Sequence, residues 1–262
     1  MTGIASLPMY DFPELRAETD RLWERIRENL RDQGIEAPEN LTRGPDPEAD
    51  WTNPDLLMSQ TCGRPYATQL AGKVLLVGIP AHAVTKASPG RYFSALVARK
   101  RDAIISLADV LHKRMAFNAA NSQSGYAAPI RMMIAGGYHS NPTPLVTGAH
   151  RASIKAVADG RADWASIDAV TWELALRHEP AAGELIVFDK TPETPALPVI
   201  AGRAHASHVT AIVRGWRSAI AGLSAADRKA LLLTGFEDAS PEDYLPLAAG
   251  FNPHDALPAL AD

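Results

Sequence analysis

The 262-residue chain is short of cysteine, of charge excess and of long apolar runs. Cys62 is its one cysteine, which excludes an internal disulfide and fits a reducing compartment. A net charge of −4 and a pI near 6.1 exclude a strongly basic surface, so nucleic acid is not an expected partner. Any anion must be held by local geometry and not by a global positive field. No run approaches the ~20 apolar residues of a membrane span, so no membrane insertion is expected. The Walker A loop, G-x-G-x-x-G, G-x-S-x-G and H-E-x-x-H are all absent. The first nine residues lack a positive stretch and a long apolar core. The expectation is a cytoplasmic protein as encoded, periplasmic if the start is trimmed or mis-called.

What is present describes a globular protein. Apolar residues make up 46% and charged residues 21%, enough to bury a core. The length suits one large domain or two lobes of roughly 100–150 residues.

Residues 4–9 read as a first strand. Asp11-Phe-Pro-Glu14 then signals a helix start, with Asp11 as cap, and Leu15, Leu22, Trp23, Ile26 and Leu30 follow at helical spacing until Gly34. Tyr10 sits in the intervening turn, facing a ligand or packing on that helix. Residues 36–49 read as a short strand and loop, and 51–58 as a short helix leading to a strand. The cluster Ser59-Gln-Thr-Cys-Gly63 follows. Residues 73–80 and 92–98 read as buried strands.

From 105 to 178 the pattern alternates: helix, strand, polar loop, helix, strand, polar loop, helix, strand, helix. Gly136-Gly137 and Gly160 close two of the helices. This alternation predicts a mostly parallel α/β sheet, in which ligands bind at the carboxyl ends of strands. Three polar features fall at such ends: 118–126, Thr147-Gly-Ala-His150, and Asp168. Residues 184–189 read as a strand and 190–199, with three prolines, as a stiff connector. Residues 205–223 and 225–233 read as helices, and the tail with Pro241, Pro253 and Pro258 as loop and short helix.

The nine residues Asn118-Ala-Ala-Asn-Ser-Gln-Ser-Gly-Tyr126 carry the sharpest signal. Hydroxyls and backbone N–H groups at a strand-to-helix junction make a ready anion site. Ser122 or Ser124 equally suits a helix N-cap. His150 opens the next helix, where an imidazole N–H can join such donors or simply be exposed. Asp168 can accept from a ligand or cap the helix that follows it. Cys62 reads as a lone loop or buried cysteine or as a nucleophile. His205 and His208 share a spacing but lack a third ligand for a metal. Trp23, Trp172 and Trp216 fall on helices and read as core.

Ser122-Gln-Ser-Gly-Tyr126, Thr147-Gly-Ala-His150, Ala156-Val-Ala-Asp-Gly160 and Ala162-Asp-Trp-Ala-Ser-Ile-Asp168, in this order, resemble the phosphate/phosphonate-type substrate-binding proteins of ABC transporters. Ser6-Leu-Pro-Met-Tyr-Asp11 and Ser59-Gln-Thr-Cys-Gly63 add to the likeness, which covers roughly residues 4–200. The resemblance implies an α/β fold of the type II periplasmic-binding-protein kind, with two lobes and two hinge crossovers. The lobes would be 1–90 with 195–262, and 91–194. It implies a solute-binding protein that holds a small oxyanion, phosphate or phosphonate, in an inter-lobe cleft for ABC-type uptake. It further implies an ABC permease as partner, with no cofactor, metal or catalytic residue. The carried-over oxyanion contacts are Ser122, Gln123, Ser124, Gly125 and His150. Tyr10, Thr61, Cys62 and Tyr92 are looser candidates from the first lobe and hinge, and Asp168 completes the set. Val170 stands where aminoalkylphosphonate-binding members carry an acidic residue, which counts against recognition of a ligand amine. An enzyme or a cytoplasmic ligand sensor on the same scaffold, using Cys62 or His150, is the alternative.

Overall fold

A computed structural model describes residues 3–44, 46–84, 87–138 and 143–250. The tail around Pro253 and Pro258 lies outside the described residues. The chain divides into two compact units. Among the described residues, one comprises those up to Arg91 with Pro195–Ala248, and the other is Tyr92–Thr194.

The first unit is built on a five-stranded sheet. In spatial order its strands are Ile4–Ala5, Leu56–Gln60, Val199–Gly202, Val74–His82 and Leu233–Glu237. Ile4–Ala5 runs parallel to Leu56–Gln60, and Val199–Gly202 runs antiparallel to both its neighbours. The strands ending at Ala5, Gln60 and His82 therefore point the same way. The helices Arg16–Asp32 and Val209–Gly222 pack on each other. The first buries Thr19, Leu22, Trp23, Ile26 and Leu30, the face its spacing predicts. It ends where Gly34 takes φ +76°. The Ile35 N–H then bonds the Leu30 carbonyl and the Gly34 N–H the Arg31 carbonyl, the paired closure of a Schellman turn.

Several boundaries differ from the sequence reading. The first strand covers only Ile4–Ala5. Asp11 is not the helix cap: a 3-10 turn, Pro13–Leu15, precedes the α-helix, and the Asp11 carboxylate instead pairs with Arg43. No strand forms among the described residues 36–49. The helix before Leu56–Gln60 is Pro47–Trp51. The helix read over 225–233 stops at Ala230, and Leu233–Glu237 is an edge strand. Val199–Gly202, which follows the proline segment, is a buried strand inside the sheet.

The second unit carries another five-stranded sheet, ordered Pro144–Val146, Met115–Phe117, Trp164–Asp168, Ser94–Arg99 and Leu185–Lys190. The three strands inside 105–178 are mutually parallel, as the alternation predicts. Ser94–Arg99 runs antiparallel to both its neighbours, so the whole sheet is mixed. Period-two alternation sends side chains to two cores. Ala95, Val97, Ala116, Ala165 and Ile167 pack on one face with Ile154 and Val157. Leu96, Ala98, Met115, Phe117 and Trp164 pack on the other with Tyr126, Ile130 and Met133. Gly137 and Gly160 end their helices with the same paired closure as Gly34.

Candidate oxyanion site

The strand Met115–Phe117 ends at Asn118, and a loop leads to Ser122. Ser122 is the N-cap: its Oγ accepts from the Gly125 N–H at 3.0 Å. An accepting hydroxyl keeps its own proton to donate. The chain then enters a wide π-turn, Gln123–Ala127, before the α-helix Ala128–Ala135. Turns of this kind are frequent at functional sites.

The second polar loop locks onto the first. The Thr147 N–H donates to the Phe117 carbonyl at 2.9 Å and the Gly148 N–H to the Asn118 carbonyl at 3.0 Å. Thr147 Oγ1 also reaches the Phe117 carbonyl and lies 2.7 Å from Ser153 Oγ. These bonds place His150, the first residue of the helix His150–Ala158, beside the serine loop. His150 Nε2 lies 2.9 Å from Ser124 Oγ. The ring is partly exposed, but its Nδ1 is buried with no hydrogen-bond partner among the described residues. Burial pushes the His150 pKa down to about 4, so near neutrality the imidazole is uncharged. A neutral imidazole and a hydroxyl share two protons. One is spent between them, and one remains for an acceptor.

Gly125 permits this closeness. A Cβ there would stand 1.9 Å from Asn118 Oδ1 and 3.2 Å from His150 Cε1. The helix His150–Ala158 is held from behind by Glu179, which is buried and takes both Arg151 and Lys155.

Asp168 ends the strand Trp164–Asp168 and is 2% exposed. Its Oδ1 accepts from the Thr171 N–H at 2.9 Å, so the carboxylate caps the helix Ala169–His178. Val170 is buried beside it. Gln123 is buried in the loop, with Arg131 3.5 Å from its Oε1. Tyr92 belongs to the same unit and is buried in the short strand Arg91–Tyr92. The second unit thus brings Ser122, Gln123, Ser124, Gly125 and His150 together, with Asp168 at a neighbouring strand end.

The other three candidates lie in the first unit. Tyr10 sets its ring edge-on to His82, centroids 5.0 Å apart. Both line a small cavity of about 40 Å³ with Gln60, Thr19 and Trp216. Thr61 is fully buried, its hydroxyl 3.3 Å from the Cys62 carbonyl. Cys62 precedes the turn Gly63–Pro65 and is partly exposed. Among the described residues no group of three or more His, Cys, Asp or Glu side chains is placed to hold a metal ion. The His205 and His208 Nδ1 atoms, in that unit, lie 3.2 Å apart. No helix among the described residues is long and apolar enough to cross a membrane.

Sequence reasoning missed Ser166. It is fully buried among the apolar residues Trp164, Ala165 and Ile167 of its strand and donates from Oγ to the Ser124 carbonyl at 2.6 Å. The available signal was a serine at a two-sided core position.

A family model described as "ABC transporter, phosphonate, periplasmic substrate-binding protein" matches residues 65–244, well over half of the chain. No curated protein matches the sequence. Among solved structures, a binding protein component of an ABC phosphonate transporter from Pseudomonas aeruginosa is 18% identical, covering 94% of this chain and 84% of its own, with a TM-score of 0.70. PhnD1 from Prochlorococcus marinus, solved with methylphosphonate, is 17% identical over 93% and 95% of the two chains, with a TM-score of 0.68. The Candida albicans CA3427 gene product, described as having the generic periplasmic binding protein fold, is 12% identical over 98% and 96%, with a TM-score of 0.63. At these identities the likeness establishes the fold, that of the periplasmic binding proteins. With the family match across both units, the chain belongs to the phosphonate ABC-transporter family of periplasmic substrate-binding proteins.

Proposed function

We propose that this protein binds a small phosphorus oxyanion, phosphate or a phosphonate, reversibly and without covalent chemistry, and delivers it to an ABC-type permease. The observation that carries the reading is the Ser124 Oγ–His150 Nε2 contact of 2.9 Å at the start of a helix. Hydroxyl, imidazole and first-turn backbone N–H groups are all neutral donors, and bonds from such groups to an anion strengthen when water is excluded. Ser122, Gln123, Ser124, Gly125 and His150 hold the oxyanion head in this reading. Tyr10, Thr61, Cys62 and Tyr92 remain candidates for contacts to the rest of the ligand, on the family resemblance alone. Asp168 acts mainly as a helix cap. The enzyme and sensor readings are set aside, because the family is one of transport binding proteins. The family's usual compartment, the periplasm, is the proposed place of work.

Calorimetry and thermal shift with phosphate, phosphite, methylphosphonate, 2-aminoethylphosphonate and sulfate test the reading. Saturable one-to-one binding of a phosphorus oxyanion supports it. No response to any of the five overturns it.

A further inference from the structure

The π-turn that opens the helix creates a specific hydrogen-bond deficit. In the five-residue register the Ala127 N–H bonds the Ser122 carbonyl and the Ala128 N–H bonds the Gln123 carbonyl. The next carbonyl in that series is Ser124, and the residue due to donate to it is Pro129, which has no N–H. A buried carbonyl without a donor is costly. Ser166, from a strand 42 residues away in sequence, supplies the missing proton: its Oγ lies 2.6 Å from the Ser124 carbonyl, and both residues are buried.

The placement of Ser166 is otherwise hard to account for. The strand runs Trp-Ala-Ser-Ile-Asp, and all five residues are buried. Alternation turns Ser166 to the same side as Trp164, toward the core that holds Phe117 and Tyr126. An apolar side chain is the ordinary occupant of such a position.

We propose that Ser166 is a positioning residue for the oxyanion site: by donating to the carbonyl that Pro129 leaves unpaired, it fixes the Ser124 backbone so that Ser124 Oγ meets His150 Nε2. The ligand-affinity part of this inference rests on the function proposed above; the positioning part does not. Ser166 touches Ser124 through the main chain and acts on the ligand only through it.

The test uses the full-length protein with Ser166→Ala, Ser166→Cys, Ser166→Thr and Pro129→Ala/Ser166→Ala. Imidazole resonances of His150 are recorded without ligand, and methylphosphonate affinity is measured by calorimetry. Ser166→Ala should shift the His150 signals and weaken methylphosphonate at least ~10-fold, the scale of one lost hydrogen bond. Ser166→Cys, nearly isosteric but a weak donor, should shift them in the same direction should the alanine variant fail to fold. Ser166→Thr keeps the hydroxyl and should keep the wild-type signals. Pro129→Ala supplies a backbone N–H in the five-residue register and should restore them in the double variant. His150 resonances unchanged in both Ser166→Ala and Ser166→Cys overturn the proposal. Shifted resonances in a protein whose wild type binds no oxyanion sustain the positioning role and overturn the function reading instead.

Discussion

Ser124 Oγ and His150 Nε2 lie 2.9 Å apart, although 26 residues separate them in the chain. Two parallel strands and a locked pair of loops bring them together. With one proton left between them for an acceptor, the two should act on the oxyanion as a unit. Ser124→Ala and His150→Ala should each weaken methylphosphonate by roughly 10–100-fold, as expected for loss of a hydrogen bond to a charged group. Calorimetry on the two variants checks this, and an unchanged dissociation constant in either removes that residue from the site.

Two part-buried histidines give a pH dependence whose sign follows from their lowered pKa values. Burial lowers both His82 and His150 from 6.5 to about 4. Between those values the unfolded chain binds more protons than the folded one, so stability rises with pH from 4 to 6.5 and then levels. Urea unfolding across pH 4.5–8 should show this rise. His150→Gln should remove the part of the rise due to His150 and leave the part due to His82; a slope untouched by that change contradicts the assignment to His150.

Gly125→Ala should damage the loop directly. Its Cβ would fall 1.9 Å from Asn118 Oδ1 and 3.2 Å from His150 Cε1, so the asparagine must move and the histidine must give slightly. A cost of about 1–3 kcal/mol is expected for overpacking. Methylphosphonate affinity should fall with it; a variant of wild-type stability and affinity would show that the loop has room.

A ligand amine should gain little. Asp168 is engaged at the Thr171 N–H, and Val170 buries an apolar side chain beside it. 2-Aminoethylphosphonate should therefore bind no more tightly than methylphosphonate. A preference of tenfold or more for the amine would mean that a carboxylate elsewhere receives it.

Glu179 is 6% exposed at its side chain and takes both Arg151 and Lys155 at the base of the His150 helix. Glu179→Ala leaves part-exposed Arg151 and exposed Lys155 without their carboxylate and should destabilise the protein by about 1–2 kcal/mol, between the scales of a surface pair and a buried one. Chemical denaturation measures it, and a loss below the error of the measurement would class the pair as solvated.

Much of this was legible in the chain because local chemistry decided it. Gly34, Gly137 and Gly160 stop helices because a left-handed residue is needed there. Ser122 caps a helix because its hydroxyl can reach the Gly125 N–H. The parallel strands of 105–178 followed from alternation. What was hidden depended on tertiary partners. Asp11 looked like a cap, but Arg43 claims its carboxylate. Leu233–Glu237, with Thr234 and Gly235 inside it, becomes a strand by pairing with Val74–His82. Ser166 stood out only as a serine in a buried strand, and its partner depends on the five-residue register that leaves the Ser124 carbonyl facing a proline.

The most direct measurement is a calorimetric titration of the wild type and of Ser124→Ala/His150→Ala with methylphosphonate at pH 7. Saturable one-to-one binding by the wild type, abolished in the double variant while its fold persists by circular dichroism, is the predicted result. Wild-type affinity in the double variant, or no binding of methylphosphonate or phosphate by the wild type, would contradict the account.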